Sequence, residues 1–446
     1  MLPSDYGLIA MLSIFLAVAQ TFVDSGFSNA LIQKQDSTEK DFSTVFYFNI
    51  GVGFLCYLLL YMAAPFIAVF YAEPQLEIIT KIVSLNVLIV SLGVVQRAKL
   101  SISLNFKLQA KASLIAVIAG GIIGVALAYR GYGAWALVMQ SLLSNCLNVL
   151  LLWVGARWIP CRVFSWNSFR ELFSFGSKLL LSGLLHTIYT NLYSLAIGKK
   201  MSSGDLGLYN RAYTLASLPS SNITDVLHKA MFPILCSLKD DKSLLDSFFL
   251  KYLRQACYLV FPLMIGLLVL ASPLVEVLLT DKWIDAVPLV QILAFAYMWD
   301  PVMRLNNHLL YAYGRTDYTL KAEIIKKTVA FFILLLTIFY GLYIIAAGVF
   351  VYSGIDIFII TRYTRKVSSV KLKDEVKVIL PILLLALSMG LLIWGVTCWI
   401  DVPVLKLVVG LCVGIIYYAF VSSLLSFQEF VFMKQFILKL KYKMMS

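Results

Sequence analysis

Acidic charge is scarce in this 446-residue sequence: 24 Asp and Glu stand against 37 Lys and Arg, a formal net charge of +13. Histidine is scarcer still, with three in all. The seven cysteines, Cys56, Cys146, Cys161, Cys236, Cys257, Cys398 and Cys412, form no Cys-x-x-Cys pair and lie mostly inside apolar runs. That excludes a disulfide framework and a zinc site, and leaves them as small core residues. There is no P-loop and no nucleophile elbow, and no polar gap is long enough to hold a soluble catalytic domain. The chain is therefore expected not to be an enzyme, and to carry no metal and no cofactor. Met1 is followed by Leu-Pro-Ser-Asp without a basic stretch, so no secretory signal peptide is expected.

What the chain has is apolar surface. Hydrophobic residues make up 61% and the mean hydropathy is +0.86, more than a soluble core needs, so lipid is the solvent for most side chains. Thirteen apolar runs of membrane-crossing length stand out: 7–32, 45–70, 77–100, 112–129, 134–154, 178–198, 211–235, 256–279, 288–313, 328–342, 345–361, 378–398 and 404–426. Lys and Arg collect in every second gap: 28 lie in or at the edges of one alternate set, 6 of the other, and Lys81, Lys229 and Arg304 are the remainder inside the runs. This is the positive-inside pattern of a polytopic membrane protein. It puts the C-terminus in the cytoplasm and, with an odd count, Met1 outside. It also accounts for the net charge through an anionic leaflet rather than nucleic acid. So short an outer tail before the first run leads us to expect a further helix upstream of Met1.

Local signals refine this picture. Asp36-Ser-Thr-Glu39 reads as a helix start, with a cap acceptor and a carboxylate three residues on. Residues 155–178 mix Phe164, Trp166, Phe169, Leu172 and Phe173 with Arg162 and Arg170, the composition of a helix lying in the membrane interface. Gly120, Gly121 and Gly124 read as a helix-packing face. Asp5-Tyr-Gly-Leu8 returns 200 positions later as Asp205-Leu-Gly-Leu208, each opening a helix on the outer side. The repeat predicts an all-α fold of two six-helix lobes around a central cavity, the first lacking one helix, with two further helices at the end. The expected divisions are an N-terminal lobe over 1–157, an interfacial linker over 158–177, a C-terminal lobe over 178–365, and 366–446 for the last two helices and a basic tail.

A charge at mid-bilayer costs about 2.5–3.5 kcal/mol on insertion scales, so each asks for a reason. Asn222, Asp225, His228 and Lys229 share one face of the seventh run. Asp300, Arg304 and His308 share a face of the ninth at i, i+4 and i+8. Asp356 lies in the eleventh run, and Asp24 and Arg97 near cytoplasmic ends of the first and third. Arg304, Lys229 and Arg97 are candidates to hold an anionic head group. Asp225, Asp300, Asp356, His228 and His308 are candidates to carry a coupling ion. The structural alternative is that Asp300–Arg304 and Asp225–Lys229 are internal pairs that only lock helices.

Leu2-Pro-Ser-Asp-Tyr-Gly-Leu8, Val23-Asp-Ser-Gly-Phe-Ser-Asn-Ala-Leu-Ile-Gln33, Gly131-Tyr-Gly-Ala-Trp-Ala-Leu-Val138, Ser174-Phe-Gly-Ser-Lys178 and Asp205-Leu-Gly-Leu-Tyr-Asn-Arg-Ala212 resemble the polysaccharide-transport (Wzx-like) flippases. These belong to the multidrug/oligosaccharidyl-lipid/polysaccharide exporter superfamily, whose members have fourteen helices. The resemblance implies a bacterial inner-membrane protein that moves an undecaprenyl-diphosphate-linked oligosaccharide to the periplasmic leaflet by ion-coupled alternating access, for lipopolysaccharide, capsule or exopolysaccharide. Its partners would be that lipid-linked cargo, membrane lipids, and polysaccharide polymerase or assembly proteins. A drug or small-cation antiporter on the same fold would favour acids in its cavity. A membrane-embedded polymerase would carry a large outer loop, which this chain lacks.

Overall fold

The computed structural model describes residues 1–24, 27, 30, 31, 37–103, 105–238 and 240–430, side chains at 174, 175, 178, 179, 182, 230, 233 and 316 apart. Thirteen helical rods run through the described residues, one for each apolar run, and no strand occurs among them. Two compact units divide the chain, Met1–Gly207 and Leu208–Ser446.

The first unit holds α1 (Pro3–Asp24), α2 (Glu39–Tyr71), α3 (Gln75–Ile102, in three segments Gln75–Val83, Leu85–Ser91 and Val94–Ile102), α4 (Phe106–Tyr129), α5 (Ala134–Ala156) and α6 (Trp166–Lys200). The cap of α2 stands two residues beyond the expected Asp36, which lies outside the described residues. Thr38 Oγ1 accepts the Asp41 N–H at 3.4 Å, and the Asp41 carboxylate accepts the Thr38 N–H at 2.9 Å. This reciprocal pair satisfies two N–H groups that the first turn leaves free. Gly120 and Gly124 do form a packing face: a Cβ on either would press into Ser144 or Gln140 of α5, whereas Gly121 faces open space. Asn86 bridges helices, donating to Ser141 at 3.1 Å and accepting from Asn145 at 2.8 Å.

The expected interfacial helix is not a separate element. Ser165 caps α6 by accepting the Ser168 N–H at 3.3 Å, and the helix then continues to Lys200. Phe169 packs on Phe48, with ring centroids 5.0 Å apart, and Leu172 is buried, whereas Phe164, Trp166 and Phe173 are exposed.

The second unit holds α7 (Ser203–Ser237, from Leu208 on), α8 (Lys242–Val269 and Ala271–Leu279), α9 (Asp281–Ala312), α10 (Thr316–Thr337), α11 (Leu342–Thr364), α12 (Leu372–Thr397) and α13 (Pro403–Leu424). A 3-10 turn opens α9, which is interrupted again at Met298–Trp299 so that Asp300 and Pro301 start its last segment. Proline without an N–H fits that first turn, where the N–H has no helical partner. α10 begins twelve residues before the apolar run that marked it. Its first turns carry Asp317, Lys321, Glu323, Lys326 and Lys327, a polarity that reads as loop until Lys326 meets Asp356 inside the protein. α13 turns Val404, Leu405, Val408, Leu411, Ile415, Ile416 and Phe420 outward, as a helix against lipid does. By length and composition, ten of the described rods suffice to cross a membrane.

Candidate functional site

The polar faces of α7 and α9 meet. Arg304 Nη1 donates to Asp225 Oδ1 at 2.7 Å, and its Nε lies 3.0 and 2.9 Å from the two carboxylate oxygens of Asp300. Side-chain exposure grades across this trio: 13% for Asp300, 39% for Arg304 and 55% for Asp225. Asp300 is thus the buried anchor, one turn before Arg304 on the same helix, and Asp225 is the open partner reached across from α7. The planar guanidinium suits two carboxylates at once, since its five donors fan out in a fixed fork.

One turn further along, His228 and His308 stack with ring centroids 3.6 Å apart, and Phe232 lies 4.8 Å from His228. The Nδ1 atoms of both histidines are buried without a hydrogen-bond partner among the described residues. Two imidazolium charges at this separation would repel by about 4–5 kcal/mol at an effective dielectric of 20. On the side of Asp300, Tyr213 of α7 meets Tyr297 of α9 edge-on at 5.6 Å. The two helices therefore face each other along a polar stripe that runs Tyr213–Tyr297, Asp225–Arg304, His228–His308.

Of the sequence candidates, five come together here: Asp225, His228, Asp300, Arg304 and His308. Three do not. Lys229 is exposed and forms no ion pair among the described residues; the expected Asp225–Lys229 pair is replaced by Asp225–Arg304, because the fork on the facing helix reaches the carboxylate. Arg97 is exposed near the end of α3 in the first unit, close enough to act electrostatically on Asp24. Asp356 of α11 belongs to a second cluster: Lys326 Nζ of α10 lies 3.2 Å from Asp356 Oδ1 and 2.5 Å from Glu323 Oε1. Lys326 and Asp356 are both buried. Lys326 counted with the loop charges in the sequence; its i, i+3 spacing from Glu323 is the signal of a helix there.

With the three charged groups of the Arg304 trio ionised, the trio carries one net negative charge, so its arginine is held rather than free. A polyanion would have to displace a carboxylate to reach it. The exposed Asp225 is the one that can leave, while Asp300 keeps the guanidinium aimed.

A family model described as "Polysaccharide biosynthesis protein" matches residues 1–288. The chain is 31% identical over 302 residues to the teichuronic acid biosynthesis protein TuaB of Bacillus subtilis (strain 168), covering 67% of this chain and 62% of that protein. It is 26% identical over 324 residues to the lipopolysaccharide biosynthesis protein WzxC of Escherichia coli (strain K12), covering 72% of this chain and 66% of that one. The matched part thus spans just under two thirds of these relatives. Among solved structures, the lipid II flippase MurJ in an inward closed conformation superposes with a TM-score of 0.72 at 15% identity, covering 95% of this chain and 96% of that chain. The motifs and the family match over 1–288 place the chain in the polysaccharide biosynthesis protein family.

Proposed function

We propose that this protein is a flippase that carries an undecaprenyl-diphosphate-linked oligosaccharide from the cytoplasmic to the periplasmic leaflet of a bacterial inner membrane, for lipopolysaccharide, capsule or exopolysaccharide assembly. The observation that carries this reading is Arg304, held half-exposed between Asp300 and Asp225 on a helix, α9, long and apolar enough to cross a membrane. A diphosphate-sugar head cannot cross hydrocarbon unaided, and a bidentate guanidinium is a strong phosphate ligand. In this reading the diphosphate takes the place of Asp225 on Arg304, with Lys229 beside it as a second, mobile cation. Asp225, once released, is free to take a coupling cation, and the His228–His308 stack beside it accommodates a proton. Alternating exposure of this path to each leaflet then moves the cargo. A drug or small-cation antiporter would need an unpaired acid. Here Asp225 and Asp300 are tied to Arg304, and Asp356 to Lys326.

The basic ends face the cytoplasm in this scheme. Cysteines placed one at a time across Gly314–Lys327 are expected to resist an impermeant thiol reagent added to intact cells; rapid labelling there would reverse the orientation. The transport reading is tested by replacing Arg304 and Lys229 separately with Ala. Both variants should lose surface polysaccharide and accumulate lipid-linked repeat units at normal protein level. Normal polymer from both would remove the assignment.

A further inference from the structure

Three basic turns of the second unit close on one cavity. It holds about 500 Å³ and is lined by Asp240 and Lys242 at the start of α8, by Tyr313, Gly314 and Arg315 of the α9–α10 turn, and by Lys366 just after α11. Three of these side chains are cations and one, Asp240, is an acid.

A buried carboxylate builds the walls. Asp246 stands one turn past Lys242 on α8 and is buried. It accepts the Tyr313 O–H at 2.7 Å, the Ser368 O–H at 2.7 Å, and the Ser369 N–H and O–H at 2.8 and 2.6 Å. One side chain of α8 thus ties down both other turns, and these donors answer its charge without drawing on a cavity lysine. Gly314 stands at φ +71°, which lets the chain reverse tightly between α9 and α10. Arg315 is fixed from two sides. Its Nε and Nη2 donate to Asp317 at 2.8 and 2.9 Å, and its guanidinium carbon lies 3.8 Å from the centre of the Tyr318 ring. Lys366 Nζ lies 5.5 Å from the same ring and 4.8 Å from that of Tyr363. Lys242 and Lys366 are exposed and form no ion pair among the described residues. Cations held over aromatic faces keep their charge and lose freedom, which suits the capture of an anion.

The next turns of α10 point to the kind of anion. Leu320, Ile324, Phe331 and Leu335 are exposed, and their spacing puts all four on one stripe of the helix. Such a stripe belongs against acyl chains, so the cations stand where a helix face enters lipid. A phosphate carried by a lipid is presented at that depth, whereas a soluble anion gains nothing from the stripe. We propose that this cavity binds the phosphate head group of an anionic phospholipid in the cytoplasmic leaflet, with Lys242 and Lys366 as mobile ligands and Arg315 as the fixed one. Basic pockets between helices on the cytoplasmic side suit such head groups. A bound head group braces the ends of α8, α9, α10 and α11 against one another. The site shares no residue with the Arg304 trio. Its binding is independent of the flippase reading, and only its placement in the cytoplasmic leaflet rests on the orientation given above.

The test places the full chain in nanodiscs of phosphatidylcholine with one-third phosphatidylglycerol, and native mass spectrometry identifies the lipids that stay bound. The parent should retain phosphatidylglycerol in preference to phosphatidylcholine. K242Q/K366Q changes two exposed positions and leaves Asp246 with its ties; it should cut that retention at least tenfold, and K242R/K366R should keep it. K107Q/K111Q removes the same charge from exposed positions at the start of α4 and should change nothing. Full retention in K242Q/K366Q overturns the proposal, and so do equal losses from both glutamine pairs, which would reduce the site to general attraction by a basic surface. Titration of inorganic phosphate into the parent in phosphatidylcholine alone separates the sources. Tight binding there, with no preference for phosphatidylglycerol, gives the cavity to a soluble phosphate and overturns the lipid assignment. Failure of the flippase reading would appear separately, as normal polymer in cells lacking the chain.

Discussion

Replacing Arg304 with alanine removes one cation from between two carboxylates, and the two should respond unequally. Asp300 is 13% exposed, so its charge would be left largely buried without compensation. Breaking a buried ion pair from one side costs about 3–5 kcal/mol. Asp225 is 55% exposed and water replaces its partner, a loss of less than about 1 kcal/mol. Since Arg304 is itself 39% exposed, the lower end applies, and R304A should lose about 3 kcal/mol. The assay is unfolding in mixed detergent–SDS micelles, followed by intrinsic fluorescence. D300N added to R304A removes the stranded charge and should recover more than half of the loss, while surface polymer stays absent because the forked ligand for the cargo phosphates is gone. R304K keeps a charge but not the fork, and should fall between the two in stability with little export. R304A as stable as the parent would refute the burial argument. Polymer export from R304A/D300N would refute the role of Arg304 in cargo binding.

Other outcomes follow from the same geometry. K326A strands Asp356, which is 6% exposed, and should cost about 3–5 kcal/mol in the same unfolding assay; K326M/D356L should recover it by replacing the pair with apolar packing. Gly120→Val drives its side chain into Ser144, whose Oγ would be 1.9 Å from the new Cβ, and should destabilise by roughly 1–3 kcal/mol; Gly121→Val, facing open space, should be neutral. H308F keeps a ring against His228 and Phe232 but cannot take a proton, so stability should persist while transport into proteoliposomes loses its response to an imposed proton gradient. The parent's response in H308F would remove the stack from ion coupling.

Much of this protein was legible from one line of residues. The thirteen rods follow from hydropathy, because every backbone group in lipid must be bonded within its own helix. Gly120 and Gly124 were legible as a packing face because spacing on a helix fixes which residues share a side. The family was legible from its short motifs. Local signals miss a partner far away in sequence. Phe169 packs on Phe48 of α2 although nothing nearby announces the pairing, and the Lys326 stretch reads as loop until Asp356 is brought beside it.

The sequence by itself determined the number of helices, the stripe that each presents and the repeat that relates Gly7 to Gly207, since these depend on period and on the chain's own solvent. Only tertiary structure decided which stripes face each other. It gave Arg304 to Asp225, left Lys229 exposed and stacked His228 on His308. Those choices depend on distances of a few ångströms between residues about 80 positions apart, and no local pattern encodes them.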